Sequence, residues 1–401
     1  MYALLGAYQP TRARKKACVL THGCPESRID SAKVQVFLQK NSYAITRKVK
    51  EADLILFRTC GLTKDSEENS LEAIRKIKLA KKKDARFIAW GCLSRINPSA
   101  LRREYTGVTF GEVNEEILNE IAVAKKLIEE IDAHYLLPIF KYGKGFREII
   151  HFPTYARART ERLSICYEEK SYGSPFFIKV STGCLGRCTF CIVKKSRGTI
   201  RSKSIDSVLA EFRRGLASGY KDFRLLATDL GAYGMDKGYR LVDLLNRMTE
   251  EEGEYVISLR NVNPCWLIEM YKEIEPILSS GKIRFLSSAF ESGSNRILRL
   301  MGRRYTIEEY RRCIQDLNSK HPNILLSTQV IVGFPTEKKQ DFQQSEKILK
   351  ELLFDGVEVY KYSPRHGTRA ATMNGQVPEY IKEYRFLRLL LASALNIRRA
   401  R

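Results

Sequence analysis

Nowhere does this 401-residue chain approach the roughly 20 consecutive apolar residues of a membrane span. That argues against a helical membrane protein, and no membrane partner is expected. The opening residues, MYALLGAYQPTRARKK, lack the continuous apolar core of a secretion signal. The expected compartment is therefore the cytoplasm, where a disulfide framework is disfavoured, so the ten cysteines read as ligands, thiols or core residues. Acidic residues are in short supply too: 46 Asp and Glu against 69 Lys and Arg leave a formal charge of +23. Such a surplus suits a phosphate-bearing partner, although an acidic peptide would be attracted equally and solubility is served as well. Hydrophobic residues at 44% and charged residues at 29% are values of a folded soluble protein. The length leaves room for two or more domains.

Against those absences stands one dense stretch, FFIKVSTGCLGRCTFCIVKKSRG, residues 176 to 198. A β-branched apolar run ends at Thr182, and Cys184, Cys188 and Cys191 follow with C-x3-C-x2-C spacing and glycines nearby. Three thiolates so spaced on a flexible loop suit one face of a 4Fe-4S cube and leave one iron open for chemistry. Zinc is the weaker reading because no fourth ligand stands close by. Packing of three core cysteines is the bland alternative.

Upstream, residues 16 to about 120 repeat a strand-like run that ends in cysteine before a helical stretch. The units are KACVLTHGC with PESRIDSAKVQVFLQK, ADLILFRTC with GLTKDSEENSLEAIRKIKLAKK, and RFIAWGC with LSRINPSALRREY. The alternation predicts a small doubly wound parallel sheet, whose sites lie outside the carboxyl ends of the strands. Cys24, Cys60 and Cys92 each fall at such an end, so a second three-cysteine cluster site is expected there. Chance packing of three strand-end cysteines is the alternative. Cys18, Cys166, Cys265 and Cys313 read as buried or incidental.

AVAKKLIEEIDAHYLL reads as a helix, and the remainder up to residue 175 as a connector. Tyr155, Arg157, Arg159 and Arg162 in it are candidates for stacking on bases or clamping a substrate, or for an exposed linker. From residue 176 six strand-like runs alternate with helices: FFIKVST, FRLLATD, YVISLRN, IRFLSSAF, LLSTQVIVGF and GVEVYKYS. Six units predict an incomplete parallel barrel with its chemistry on the carboxyl-end face. Asp229 and Tyr233, in TDLGAYG after the second strand, are placed to meet polar groups of a cofactor, where the glycines permit close approach.

THGCPESRIDS, FRTCGLTKDSEE and AWGCLSR resemble the three amino-terminal cysteine motifs of the radical S-adenosylmethionine methylthiotransferases. The resemblance continues through GCLGRCTFCIVKKSRG, ATDLGAYGMDKG, ESGSNRILRLMGRRYT, VIVGFPTEKKQDF and YKYSPRHGTRAATM. It implies an α/β protein with an N-terminal doubly wound parallel-sheet domain over 1-125, a connector over 126-175, a partial (β/α)6 radical SAM barrel over 176-378 and a basic C-terminal helix over 379-401. It also implies two 4Fe-4S clusters with separate tasks. Cys184, Cys188 and Cys191 would hold the one that cleaves S-adenosyl-L-methionine to a 5′-deoxyadenosyl radical. Cys24, Cys60 and Cys92 would hold an auxiliary one that delivers methylated sulfur, with a second cofactor molecule as methyl donor. The reaction turns C–H into C–S–CH3, so both clusters are expected to face one cavity. Glu291 and Ser292 match a family position that reaches the cofactor. Gly333, Phe334 and Pro335 would line its adenine, and Arg197 is a further cofactor contact. An electron donor such as a flavodoxin or ferredoxin is implied.

The chain departs from the family pattern in three places. Glu291 stands where glutamine is usual, Gln329 near a usual aspartate, and Thr336, Glu337 and Lys338 where a glycine–glutamate–threonine turn is usual. An acid in place of an amide alters the hydrogen bonding near the sulfonium. After residue 378 no TRAM barrel is expected, only the helix YIKEYRFLRLLLASALNIRRAR. Two short motifs, GCL and GAYG, resemble the branch that modifies threonylcarbamoyl-adenosine beside a tRNA anticodon, in keeping with +23. The missing TRAM module tips the expectation to a ribosomally synthesised peptide or protein as substrate, with tRNA as the alternative. A non-catalytic iron–sulfur RNA-binding module is the contrasting class.

Overall fold

The computed structural model describes residues 14–140 and 174–396, and two parallel sheets organise them. The first contains β1 (Lys16–Thr21), β2 (Ala44–Ile45), β3 (Leu54–Thr59) and β4 (Arg86–Gly91) in the order β2-β1-β3-β4. Every pairing is parallel. Three strands are the cysteine-ended runs expected, whereas two-residue β2 is too short to leave a periodic signal.

Strand β3 is buried at all six positions, as a parallel strand covered on both faces should be. Its side chains alternate between layers. Leu54 and Leu56 pack with Val34, Phe37 and Leu38 of helix Pro25–Lys40 and Leu118 of helix Glu115–Ala122. Ile55 and Phe57 pack against Ala73, Ile74 and Ile77 of helix Lys64–Ala80 on the other side. The winding is therefore double. The helical stretch after Cys92 is two helices, Cys92–Ile96 and Pro98–Glu104. Pro98 begins the second, and the Asn97 side chain accepts from the Ala100 N–H at 3.2 Å.

The helix expected over AVAKKLIEEIDAHYLL does not form. The preceding helix stops at Ala122, Val123 turns left-handed at φ 48°, and one 3-10 turn follows at Ile128–Glu130. Side-chain amides replace the helical ladder: Asn41 accepts from the N–H groups of Lys125 and Lys126, and Asn119 accepts from that of Ile128. Amphipathic spacing carries no trace of such distant partners. This segment is not a free connector either. Ile128 and Ile131 join the first core, the Phe140 N–H donates to Thr21, and His134 stacks on Phe176 at 3.9 Å. Tyr155, Arg157, Arg159, Arg162 and Cys166 lie outside the described residues.

The second sheet is the expected six-stranded one: β5 (Phe176–Lys179), β8 (Asp222–Leu226), β9 (Val256–Leu259), β10 (Ile283–Ser287), β11 (Leu325–Val332) and β12 (Gly356–Lys361). Its order β12-β11-β10-β9-β8-β5 follows the sequence, with all pairings parallel. Winding in one direction is what builds a barrel wall, and β5 and β12 are its edges. An antiparallel pair, β6 (Ser181–Thr182) and β7 (Arg201–Ser202), ties off the base of the cysteine loop. Helix Glu379–Asn396 is no separate tail: it packs on β12 and on helix Lys339–Glu351, with Phe386, Leu389 and Leu390 in the barrel core.

The two units meet through ion pairs that reach from the first into the second: Asp30 with Lys179, Glu112 with Arg201, Glu67 with Arg365. Arg95 donates to the Ser196 carbonyl at 3.0 Å and Lys195 to that of Ile96 at 3.2 Å. Lys179 is the last residue of β5 and Arg201 opens β7, while the other partners lie in segments that follow strand ends, so the two chemically competent edges face each other.

Candidate active site

Strand register levels the first set of thiols. Thr59 pairs with Gly91 across β3 and β4, so Cys60 and Cys92 leave neighbouring strands side by side. Thr21 pairs with Arg58, and Cys24 follows three residues later as the N-cap of helix Pro25–Lys40. Gly91 makes the exit from β4 possible. Its φ is 106°, and a Cβ there would lie 2.7 Å from the Thr59 carbonyl oxygen. The Cys60 N–H donates to Ser70 Oγ at 2.9 Å, and that hydroxyl returns a bond to the Cys60 carbonyl. Burial pushes the Cys60 thiol up to about 11, and the nearby Cys92 and Cys24 push in the same direction.

The second set stands on the loop between β6 and β7. Gly183, at φ 80°, lets Cys184 turn inward: a Cβ would overlap the Thr199 carbonyl oxygen. Thr189 anchors the middle of the loop, its N–H donating to Met301 and its hydroxyl to Leu300. Cys184 donates its thiol to Asp229 Oδ2 at 3.6 Å and accepts from the Gly186 N–H at 3.1 Å. Burial, then the Asp229 charge, pushes the Cys184 thiol up to about 12; burial, then Cys188, pushes Cys191 up to about 11. Thiols so raised make poor free nucleophiles, whereas metal coordination deprotonates a thiol outright.

Among the described residues no three His, Cys, Asp or Glu side chains gather tightly enough for one metal ion. In a cube each thiolate binds a different iron, so the ligands need not gather as tightly as around one ion. Polar groups around the second set also await a partner. Asp229 is 3% exposed; its Oδ2 accepts from Trp266 Nε1 at 3.0 Å, while Oδ1 has no partner among the described residues. Burial raises the Asp229 pKa against the opposing pull of Trp266 and Arg303. Arg303 Nε, close to Cys188 and Cys191, is likewise buried without a partner.

Two consecutive residues after β8 connect the sets. Asp229 meets Cys184, while Thr228 donates its hydroxyl to Glu26 at 3.1 Å. Glu26 pairs with Arg197 at 3.0 Å, and Arg197 reaches Cys24 Sγ at 3.5 Å. The chain of contacts passes from one thiol set to the other through half-buried Thr228 and the buried side chains of Asp229, Glu26 and Arg197 at the junction of the two units.

Residues 16–111 match the family described as "Uncharacterized protein family UPF0004", and residues 178–349 match the "Radical SAM superfamily". The chain is 32% identical to the ribosomal protein uS12 methylthiotransferase RimO of Thermodesulfovibrio yellowstonii, over 95% of this chain and 83% of that protein. It is 30% identical to a probable threonylcarbamoyladenosine tRNA methylthiotransferase of Archaeoglobus fulgidus, over 93% and 82%. The chain belongs to the radical SAM methylthiotransferases. This methylthiotransferase is therefore a transferase, and the cofactors of its family are S-adenosylmethionine and two 4Fe-4S clusters. Among solved structures, the radical S-adenosylmethionine methyltransferase TsrM of Kitasatospora setae shares the fold, with a TM-score of 0.60 at 13% identity, covering 89% of this chain and 77% of that one.

Within this methylthiotransferase the expected cofactor residues divide. Phe334 is buried and packs edge-on against Phe190, the neighbour of Cys191, with centroids 6.4 Å apart. Gly333 donates its N–H to Glu337 at 2.7 Å, and Pro335 is buried beside it. Glu291 sits at φ 62°, a strained conformation for a non-glycine residue, and places its carboxylate on Arg303. That buried pair neutralises the acid that stands in place of the usual amide. Ser292, fully buried, accepts from the Ser294 N–H.

Two further candidates have partners of their own. Tyr233 is 0% exposed and donates its hydroxyl to the Lys203 carbonyl at 3.0 Å, which keeps it in the barrel wall. Arg197 turns to Cys24 and Glu26, away from the loop that carries it, because two carboxylates, Glu26 and Asp30, lie buried on that side. Cys18 and Cys313 are core residues as expected, whereas Cys265 sits half-buried near Asp229, its sulfur 3.9 Å from Arg304. Glu26, Trp266 and Arg303 escaped the sequence reading. Each lies within two residues or so of a noted motif or strand-end loop, but nothing in their spacing tells which way they point.

Proposed function

We propose that this methylthiotransferase replaces a C–H bond of a tRNA nucleoside by C–S–CH3, with threonylcarbamoyl-adenosine beside the anticodon as the target. The adjacency of the two thiol sets across Thr228, Asp229 and Glu26 carries the reaction type, because a short-lived radical must form next to its sulfur source. Cys184, Cys188 and Cys191 hold the cofactor cluster, and Cys24, Cys60 and Cys92 the auxiliary one. When bound, these groups supply an electron, a hydrogen-abstracting radical and a methylated sulfur. The protein side chains orient and enclose them. Asp229 Oδ1 offers a buried acceptor to a cofactor donor, Phe334 and Phe190 exclude water, and Arg303 balances Glu291.

The formal charge of +23 supports an RNA substrate, as do the GCL and GAYG motifs and relatives named for tRNA modification. The expectation of a ribosomally made peptide gains no support, since the relatives are named for tRNA or for ribosomal protein uS12. A protein substrate is the second reading, favoured by the relative at 32% identity. A flavodoxin or ferredoxin would supply the electron. The test incubates the reconstituted enzyme with bulk tRNA and, separately, with ribosomal proteins, and follows each by mass spectrometry. A methylthio group on a tRNA nucleoside is the expected result; modification of protein alone overturns the RNA reading. Cys60→Ala should keep releasing 5′-deoxyadenosine yet yield no methylthiolated product. Normal product yield from that variant would refute the auxiliary-cluster assignment.

A further inference from the structure

The charged group buried at the junction has a composition that an ordinary domain interface does not require. Three cations, Arg58, Lys179 and Arg197, surround two carboxylates, Asp30 and Glu26. Asp30 meets Arg58 and Lys179, while Arg197 is shared between Glu26 and a thiol. Arg197 ends helix Val193–Arg197, six residues beyond Cys191, so it is carried by the loop of the cofactor set. It is 3% exposed, and its three directed contacts all belong to the other unit: Glu26 at 3.0 Å, Ser27 Oγ at 3.3 Å and Cys24 Sγ at 3.5 Å. Glu26 in turn is fixed from the barrel side by Thr228.

We propose that Arg197 is a positioning residue for the auxiliary site: it holds the Cys24 sulfur in place across the domain junction and raises the reduction potential of the cluster that this sulfur binds. The inference rests on the assignment of Cys24, Cys60 and Cys92 under the proposed function. Cys24 needs such a holder. It stands on an exposed turn, its side chain makes no capping bond, and its other hydrogen-bond contact is a long 3.6 Å approach to Ser27. Hydrogen bonds to cluster sulfurs and nearby net charge are the protein's main means of setting an iron–sulfur potential, and a buried guanidinium supplies both. Its charge favours the reduced, more negative cluster. Glu26, bound by the other terminal nitrogen of the guanidinium, opposes that effect. One loop thus carries three ligands of one cluster and the charged neighbour of a ligand of the other, which registers the two sites to each other.

The experiment uses the full chain with Cys184, Cys188 and Cys191 replaced by alanine, so that only the auxiliary cluster remains. Redox titration followed by electron paramagnetic resonance then reads its midpoint potential. Arg197→Gln should shift the midpoint to more negative values, Glu26→Gln to more positive ones, and Arg197→Lys should fall between the parent and Arg197→Gln. A merely structural salt bridge predicts otherwise, since breaking it from either side loosens the same contact and moves both variants the same way or neither. Either of those results overturns the proposal. If Arg197→Gln fails to retain iron, the signs of the Glu26→Gln and Arg197→Lys shifts decide the matter. A parent three-alanine chain without iron would refute the auxiliary-site assignment itself, which is a separate outcome from an unmoved potential.

Discussion

Replacing Asp30 by asparagine removes one charge and almost no volume, yet it should destabilise the junction severely. Asp30 is 5% exposed, and its two oxygens meet Arg58 at 2.9 Å and Lys179 at 2.7 Å. Arg58 is 0% exposed and has Nε and Nη1 without hydrogen-bond partners among the described residues, resting over Trp90 with its carbon 4.3 Å from the ring centre. Among the described residues, Asp30 is the one carboxylate in an ion pair with it. Removing one partner of a buried ion pair costs about 3–5 kcal/mol, far above the value of a surface pair. At roughly 2–4 °C per kcal/mol for domains of this size, Asp30→Asn should unfold roughly 6–20 °C below the parent. Burial alone would raise the Asp30 pKa, but Lys179, Arg58 and Arg197 outweigh it and hold the carboxyl well below the usual range. Because the folded value is depressed, the stabilisation is present above the ordinary carboxylate pKa of about 3.9 and is lost as pH falls below it. Thermal unfolding followed by circular dichroism between neutral and acid pH measures both effects. A variant that melts within about 2 °C of the parent at neutral pH, well inside the predicted span, would refute the claim that this carboxylate neutralises the junction.

Two further predictions concern the cofactor side. Burial pushes Glu337 up to about 7 despite the Gly333 N–H and Arg385, so its contribution to stability is present below the ordinary pKa of about 4.3 and is lost as pH rises to about 7. Glu337→Gln should flatten that pH dependence in urea titrations, and an unchanged slope would show the carboxylate to be ionised throughout. Gly183→Ala must accommodate a side chain at φ 80° against the Thr199 carbonyl, at a cost of about 1–3 kcal/mol. It should lower 5′-deoxyadenosine release about 5- to 160-fold, the rate equivalent of that energy, with iron analysis as the independent check, and a rate within twofold of the parent would show that the turn tolerates a Cβ.

Much of the architecture was legible because it rests on local periodicity. Buried strands such as LILFRT read as apolar runs, and alternation with amphipathic helices leaves a parallel sheet as the economical arrangement. The edge strand β2, the pairing of β6 with β7 and the loss of the helix after Ala122 were not legible. Two-residue strands have no period, and the amides of Asn41 and Asn119 act on backbone 84 and nine residues further along the chain, outside the reach of helical spacing.

The candidate site divides along the same line. Chain order alone singled out six cysteines as candidates, since C-x3-C-x2-C and the three strand-end positions are properties of spacing. Tertiary structure alone decided that Arg197 reaches Cys24, that Tyr233 closes the barrel wall, and that Glu291 is neutralised by Arg303. A ligand triplet on one loop is short-range geometry, set by a few backbone torsions. The direction of a long charged side chain depends on which carboxylates the fold has buried around it, and here Glu26 stands 171 positions away from Arg197 in the sequence.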